Sequence, residues 1–166
     1  MSALASATAA PAAIQISSLS VTIPSDPSLP TLCPSFIPIT ITSYSATSAH
    51  IWIGTPTLAT PSPTSNNTDF GGLVASFPPT NSSTPTASSH LINSGDDDET
   101  VSAQISQRIA KRTNWPIFLS LASYNALSSG EADMASVGLI IAKCEKEIVG
   151  EIERLKIEKG VAQVAC

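Results

Sequence analysis

The chain has 166 residues, a formal net charge of −5 and 42% hydrophobic residues, with charged residues at only 13%. That length suits one domain, and the apolar content is enough for a core, which excludes a wholly disordered chain. The sign and scarcity of charge exclude nucleic acid or an anionic membrane as the main partner, since both select for excess Lys and Arg, and no apolar run reaches the ~18 residues of a membrane span.

Residues 1–13 read as a flexible tail. They lack a cationic start and a strong apolar run, so no secretory leader is expected. Ile14, Ile16, Leu19, Val21 and Ile23 give an interrupted β pattern that ends at Pro24. Residues 24–35 carry four prolines and read as a loop, because proline removes ladder donors. Ile37, Ile39 and Ile41 alternate with Pro38, Thr40 and Thr42, the period of a half-buried strand, with Pro38 predicting an edge or a bulge. His50-Ile51-Trp52-Ile53-Gly54 is apolar on both faces and is expected near the middle of a sheet, in a hairpin with the preceding strand.

Residues 55–69 show no periodicity and read as a low-complexity loop. Phe70 to Phe77 is the next strand, with Gly71 and Gly72 predicting a bulge at its start. Residues 78–88 form another low-complexity insertion, after which Leu91 and Ile92 suit a very short strand. Asp96-Asp97-Asp98-Glu99 then precedes Val101, Ile105 and Ile109, and Arg108, Lys111 and Arg112 close the same segment. Acids first and cations last complement a helix dipole, and Asn114 and Pro116 stop the helix. Ile117 to Leu121 is a fully apolar strand. Ser128-Ser129-Gly130-Glu131 has capping-box spacing and opens a long last helix. Its apolar face is read as Val137, Ile141, Cys144, Ile148, Ile152 and Leu155. A helix carrying such a stripe persists only when the stripe packs on a sheet or a partner. Residues 14–158 thus form a single domain of α+β class: a small antiparallel β-sheet or sandwich with one short helix and one long C-terminal helix. Residues 159–166 read as a tail.

The piece Gln107-Arg108-Ile109-Ala110-Lys111-Arg112-Thr113-Asn114, followed by the strand Ile117-Phe118-Leu119-Ser120, resembles the proteasome assembly chaperone 4 family. That family has a Gln-Arg-Leu-Ala-Arg-Lys-Thr-Asn-like helix end leading into a Val-Phe-Val-Ser strand. Ile51-Trp52-Ile53-Gly54 is similar to the family's Leu-Trp-Val-Gly strand end, and the terminal amphipathic helix follows Tyr124-Asn125 as the family's does. The matches span roughly residues 36–158. The insertions at 24–35, 55–69 and 78–88 depart from the pattern and suggest a fungal-type divergent member. The resemblance implies a heterodimer with the third proteasome assembly chaperone. It also implies binding to α-type subunits of the 20S core particle, promotion of α-ring assembly and release before maturation. It implies no catalysis, no cofactor and a cytoplasmic or nuclear location.

Five residues are candidate partner contacts. Arg108, Lys111 and Arg112 suit an acidic surface, against the bland reading of a solvated helix end. Trp52 suits an interface anchor, against a place in the core, and Trp115 fits a rim or a core position equally. Asp96 to Glu99 lacks the ligand rhythm of a calcium loop and reads as a helix cap. Cys33, Cys144, His50 and His90 have no zinc spacing, and Cys144 reads as a small core residue. The odd set Cys33, Cys144 and Cys166 argues against a disulfide framework and for a reducing compartment. The sequons at Asn66 (Asn66-Asn67-Thr68) and Asn81 (Asn81-Ser82-Ser83) read as chance matches in that setting. No nucleophile elbow, triad or phosphate loop is present. The rival function is a non-catalytic adaptor or scaffold module of a trafficking or signalling complex, since fold alone does not fix function. A small hydrolase and a secreted, O-glycosylated wall protein stand further off, for want of motifs and of a leader.

Overall fold

The computed structural model describes residues 14–23, 35–45, 47–55, 57–58, 72–80, 85–92, 98–122 and 134–164. Among these, the order is β1 (Gln15–Ile23), β2 (Ser35–Ser45), β3 (Ser48–Ile53), β4 (Thr57–Leu58), β5 (Leu73–Phe77), β6 (Ala87–Ile92), α1 (Asp98–Thr113), β7 (Ile117–Leu121) and α2 (Met134–Val164). One sheet runs β1-β2-β3-β7-β5-β6, with β4 paired to β2.

The α+β class holds, as one sheet with a short and a long helix. The antiparallel expectation needs one amendment, because β3 and β7 pair in parallel while the other neighbours are antiparallel. The cause is a crossover. Helix α1 carries the chain from the edge strand β6 back across β5, so β7 enters beside β3 running the same way. Strand β2 is interior and its pairing with β1 is unbroken at Pro38, which corrects the edge or bulge expected there. Pro38 sits where β3 runs out. Its carbonyl accepts the Gly54 N–H at 2.9 Å, and no donor is missed on that side. A register shift falls at Leu73/Val74, next to Gly72. Strand β6 is longer than Leu91 and Ile92 predict and begins inside the run read as low-complexity. Helix α2 likewise runs on past residue 158 to Val164.

Alternation decides which face is buried. Val21, Ile23, Ile37, Ile39, Ile41, Ile51, Ile53, Val74, Ile117, Leu119 and Leu121 all point to one side and are at most 4% exposed. Registers such as Ile41↔Ile51, Ile51↔Leu119 and Val74↔Leu119 line these side chains up across the strands. Helix α1 lays Ile105, Ile109 and Ala110 on this face. Helix α2 adds Val137, Ile140, Cys144, Ile148, Ile152 and Leu155. The inward residue is therefore Ile140, and Ile141 sits half-buried at the flank, contrary to the sequence reading. Helical periodicity alone places Ile141 nearer than Ile140 to the axis of Cys144, Ile148 and Ile152, so the burial of Ile140 comes from what packs against that flank of α2; both side chains line the apolar pocket with Ile53, Ile105 and Leu121. The capping box at 128–131 and the pair Tyr124-Asn125 lie outside the described residues, as do Cys33 and Cys166.

Two contacts tie the helices together. Arg108 Nε donates to both Glu145 carboxylate oxygens, at 2.9 and 3.2 Å, and Nη2 donates to Oε1. At the end of α1, Asn114 adopts a left-handed φ of 54°, and Thr113 Oγ1 donates to the Ile109 carbonyl at 2.8 Å. Lys156 of α2 donates to the Thr113 carbonyl, which α1 leaves unpaired, and its Nζ lies 5.6 Å from the centre of the Trp115 ring.

Glu145 is buried while the Arg108 side chain is half exposed. Arg108→Ala strands a carboxylate between the helices. Discounted for that exposure, the loss is about 2 kcal/mol, or a fall in Tm of about 4–8 °C. Arg108→Ala with Glu145→Leu should recover most of it, measured by thermal unfolding; equal losses in both variants would show that the clasp is not what Arg108 contributes.

Candidate functional site

The opposite face of the sheet has no described helix or strand layered on it. Its rows follow from the registers: Thr40, Trp52, Ser120, Leu73 and Ile92 in one, and Ile16, Thr42, His50, Phe118, Ala75 and Ser89 in the next. Phe36 and Tyr44 extend the same face along β2, and Phe77 extends it along β5. Large apolar or aromatic side chains stay open to solvent there: Ile16 is 70% exposed, Tyr44 50%, Ile92 51%, Phe77 47% and Phe36 39%. Strand spacing makes the face roughly 25 Å across and 15–20 Å along.

Charge is segregated. None of the seven strands contains an Asp, Glu, Lys or Arg, and every charged residue among the described ones lies on α1 or α2. The exposed apolar side chains lie towards the two sides of the sheet, on β1 and β2 and on β5 and β6, with Thr40, Thr42 and His50 between them, while Ala75 and Ser120 in the middle are buried. The face is neutral and mixed in polarity, and a charged surface brought against it would find no counter-ion among the strands.

The five candidate contacts separate. Trp52 lies on this open face, half-buried, on β3, one of the two central strands of the sheet. Trp115 is only 5% exposed and belongs to the core beneath Lys156. Arg108 is committed to Glu145, and Lys111 and Arg112 are exposed on the last turn of α1 in the helical layer. Sequence reasoning did not single out Phe36, Tyr44, Phe77 or Phe118. The available signal was that these aromatic residues occupy the polar positions of the strand alternation, in a region with almost no charge.

His50 sits on the open face between Thr42 and Phe118, and burial pushes its pKa below the ordinary 6.5. The Cys144 thiol is pushed up to about 12, first by burial and then by the charge of Glu145, which keeps it protonated and unreactive. An apolar pocket lined by Ile53, Ile105, Leu121, Ile140, Ile141 and Cys144 offers no other group for acid–base chemistry. Among the described residues no three His, Cys, Asp or Glu side chains cluster as metal ligands, and no helix is long and apolar enough to cross a membrane.

The arrangement suits recognition between proteins, and comparison with known proteins agrees. The chain is similar to a chain in the crystal structure of a novel chaperone complex for yeast 20S proteasome assembly. That likeness covers 85% of this chain and 98% of the other, with a TM-score of 0.51; at 13% identity it is one of fold. No curated protein sequence matches. The family model for proteasome assembly chaperone 4 matches residues 36–122, from β2 through α1 to the end of β7. That stretch is just over half of the chain and holds the sheet core, Trp52 and the α1 helix end, and on this basis the chain belongs to the proteasome assembly chaperone 4 family.

Proposed function

We propose that this protein is a non-catalytic assembly chaperone that forms a heterodimer with the third proteasome assembly chaperone. The pair binds α-type subunits of the 20S core particle, promotes α-ring assembly in the cytoplasm or nucleus, and leaves before the particle matures. The observation that carries the reading is the charge-free open face of the sheet, which needs a neutral cover of its own size. A sheet from a sibling chain of the same architecture meets that need, because sheets stack face to face at about 10 Å with their side chains interleaved. At roughly 25 Å by 15–20 Å the face covers about 400–500 Å² in projection, so a standard interface of about 800 Å² per partner would take in its rim as well. The helical layer is then left to meet the α-type subunit, with Lys111 and Arg112 as the contacts to an acidic surface. Release follows when a later subunit claims the surface that the pair covers. The Pro/Ser/Thr-rich insertions support a fungal-type divergent member.

Co-expression with the third chaperone should give a stoichiometric complex by size-exclusion chromatography and mass spectrometry, and the complex should retain an α-type subunit. Lys111→Glu with Arg112→Glu should weaken α-subunit capture about tenfold or more while the heterodimer stays intact. A soluble monomer that ignores both partners would overturn the reading.

Acid should loosen the pair. The folded chain holds His50 below its ordinary pKa, so the unfolded chain takes the proton first. The stability tied to a neutral His50 is therefore full above about pH 6.5 and is lost as the pH falls through that value. A covering partner removes more water from the same imidazole, which gives association the same sign. Heterodimer affinity and Tm should both drop between about pH 7.5 and 5.5, and His50→Gln should flatten both curves; an unchanged pH dependence in that variant would assign the effect to another group.

A further inference from the structure

Gly54 follows Trp52 by two residues, so both face the open side of the sheet. The Gly54 N–H bond to the Pro38 carbonyl, 2.9 Å, fixes Gly54 directly beside Pro38 of β2. A Cβ built on Gly54 would lie 2.5 Å from Cη2 of the Trp52 indole, 3.0 Å from its Cζ3 and 2.8 Å from Cγ of Pro38. The far edge of the indole, Cη2 and Cζ3, therefore reaches into the space over the bare backbone of Gly54, which the Pro38 ring also borders. Gly54 itself is buried. Its backbone shows no left-handed φ, so the glycine serves space and not conformation.

We propose that Trp52, whose indole edge reaches over Gly54 into space that Pro38 also borders, is the anchor on which the partner chain seats an uncharged apolar side chain, and that Gly54 is the positioning residue of this interface. The claim rests on the heterodimer reading above. Four facts carry it. The indole is on the open face and not in the core, because Ile51 and Ile53 on either side are buried at 0% and 2%. It sits in an interior strand, flanked by Thr40 and Ser120 in register, away from both sheet edges. Its far edge occupies the space over Gly54 that any side chain there would take. Its surroundings in the strands carry no charge, so what meets it must be neutral as well. A tryptophan in an interior strand between small neutral side chains has the character of an interface hot spot. A methyl group on residue 54 would push the indole edge out of this space and reshape the surface that a second sheet meets.

The test is a double-mutant cycle on the heterodimer, read as dissociation constants by calorimetry, with Tm of the free chain measured alongside. Trp52→Ala should weaken pairing with the third chaperone at least about tenfold, and Gly54→Ala about five- to tenfold. Gly54→Ala should cost less than about twofold when Trp52 is already Ala, because it acts only through the indole. Trp52→Leu replaces Trp52→Ala if truncation unfolds the chain. In a Trp115→Phe background, where Trp52 is the sole indole, Gly54→Ala should shift its emission in the free chain. Wild-type affinity in both single variants would overturn the anchor while leaving the heterodimer standing. So would an undiminished Gly54→Ala effect without Trp52. Failure of the unmodified chain to pair at all would overturn both.

Discussion

The two helices bury the isoleucine face of the sheet, and the rest of the structure depends on that burial. Ile37, Ile39, Ile41, Ile51, Ile53, Ile117 and Leu119 cannot be satisfied by the sheet that carries them. They need α1 and α2 laid across them. Each side chain so buried contributes roughly 1.5–3 kcal/mol against its exposed state. Both helices are used up in covering one side. Among the described residues nothing is left for the other side, although it also carries Phe36, Tyr44, Phe77, Phe118 and Trp52. A two-layer α/β domain normally meets this constraint by making its second sheet face polar. Here the polar residues of that face are Ser, Thr and His, and the strands contain no charge at all, so its exposed aromatic and isoleucine side chains stand among neutral neighbours.

The residues that carry the family resemblance divide the same way once their contacts are known. In the run from Gln107 to Asn114, nearly every residue has an internal task. Gln107 donates to the Ser88 hydroxyl at 2.6 Å, Arg108 clasps Glu145, and Ile109 and Ala110 enter the core. Thr113 donates to a helix carbonyl, and Asn114 takes the left-handed turn that frees the chain to become β7. Only Lys111 and Arg112 have no such task in this list and face outward. The motif is thus mainly a device for ending α1 and starting the parallel strand. Its two outward cations are what a binding partner would meet.

This explains which features were legible in the sequence. The inward alternation of β2 and β3, the dipole-matched ends of α1 and the stripe of α2 are local patterns, and local patterns survive folding. The parallel pairing of β3 with β7 is not local. It depends on where α1 returns the chain, which no spacing within a strand encodes. Ile140 and Ile141 are adjacent isoleucines; the periodicity of α2 favours Ile141, and the deeper burial of Ile140 depends on the neighbouring elements, which no spacing within the helix encodes. Trp115 looked as fit for a rim as for a core because its burial depends on Lys156, forty-one residues later, reaching across to the end of α1. The open face was half legible. Trp52 stood out as a tryptophan, but its aromatic neighbours come together only through the registers of four different strands.

A neutral face cannot choose its partner by charge, which is the usual way proteins reject wrong partners. Discrimination must then come from shape, and shape on a sheet is set by which side chains lie flat and which stand up. The Trp52–Gly54–Pro38 contact is a means of setting shape: the edge of a large ring is given its place by an absent side chain beneath it. The charged helical layer has the complementary properties. Its ion pairs, Arg154 with Glu151 and Glu158 and Lys156 with Glu153, are ordinary surface helix pairs worth little to stability. It lies on the other side of the sheet from the uncharged face. On the heterodimer reading proposed above, the uncharged face would pair by shape and the charged helical layer would meet the client by charge, so the two contacts would differ in kind and in their response to salt.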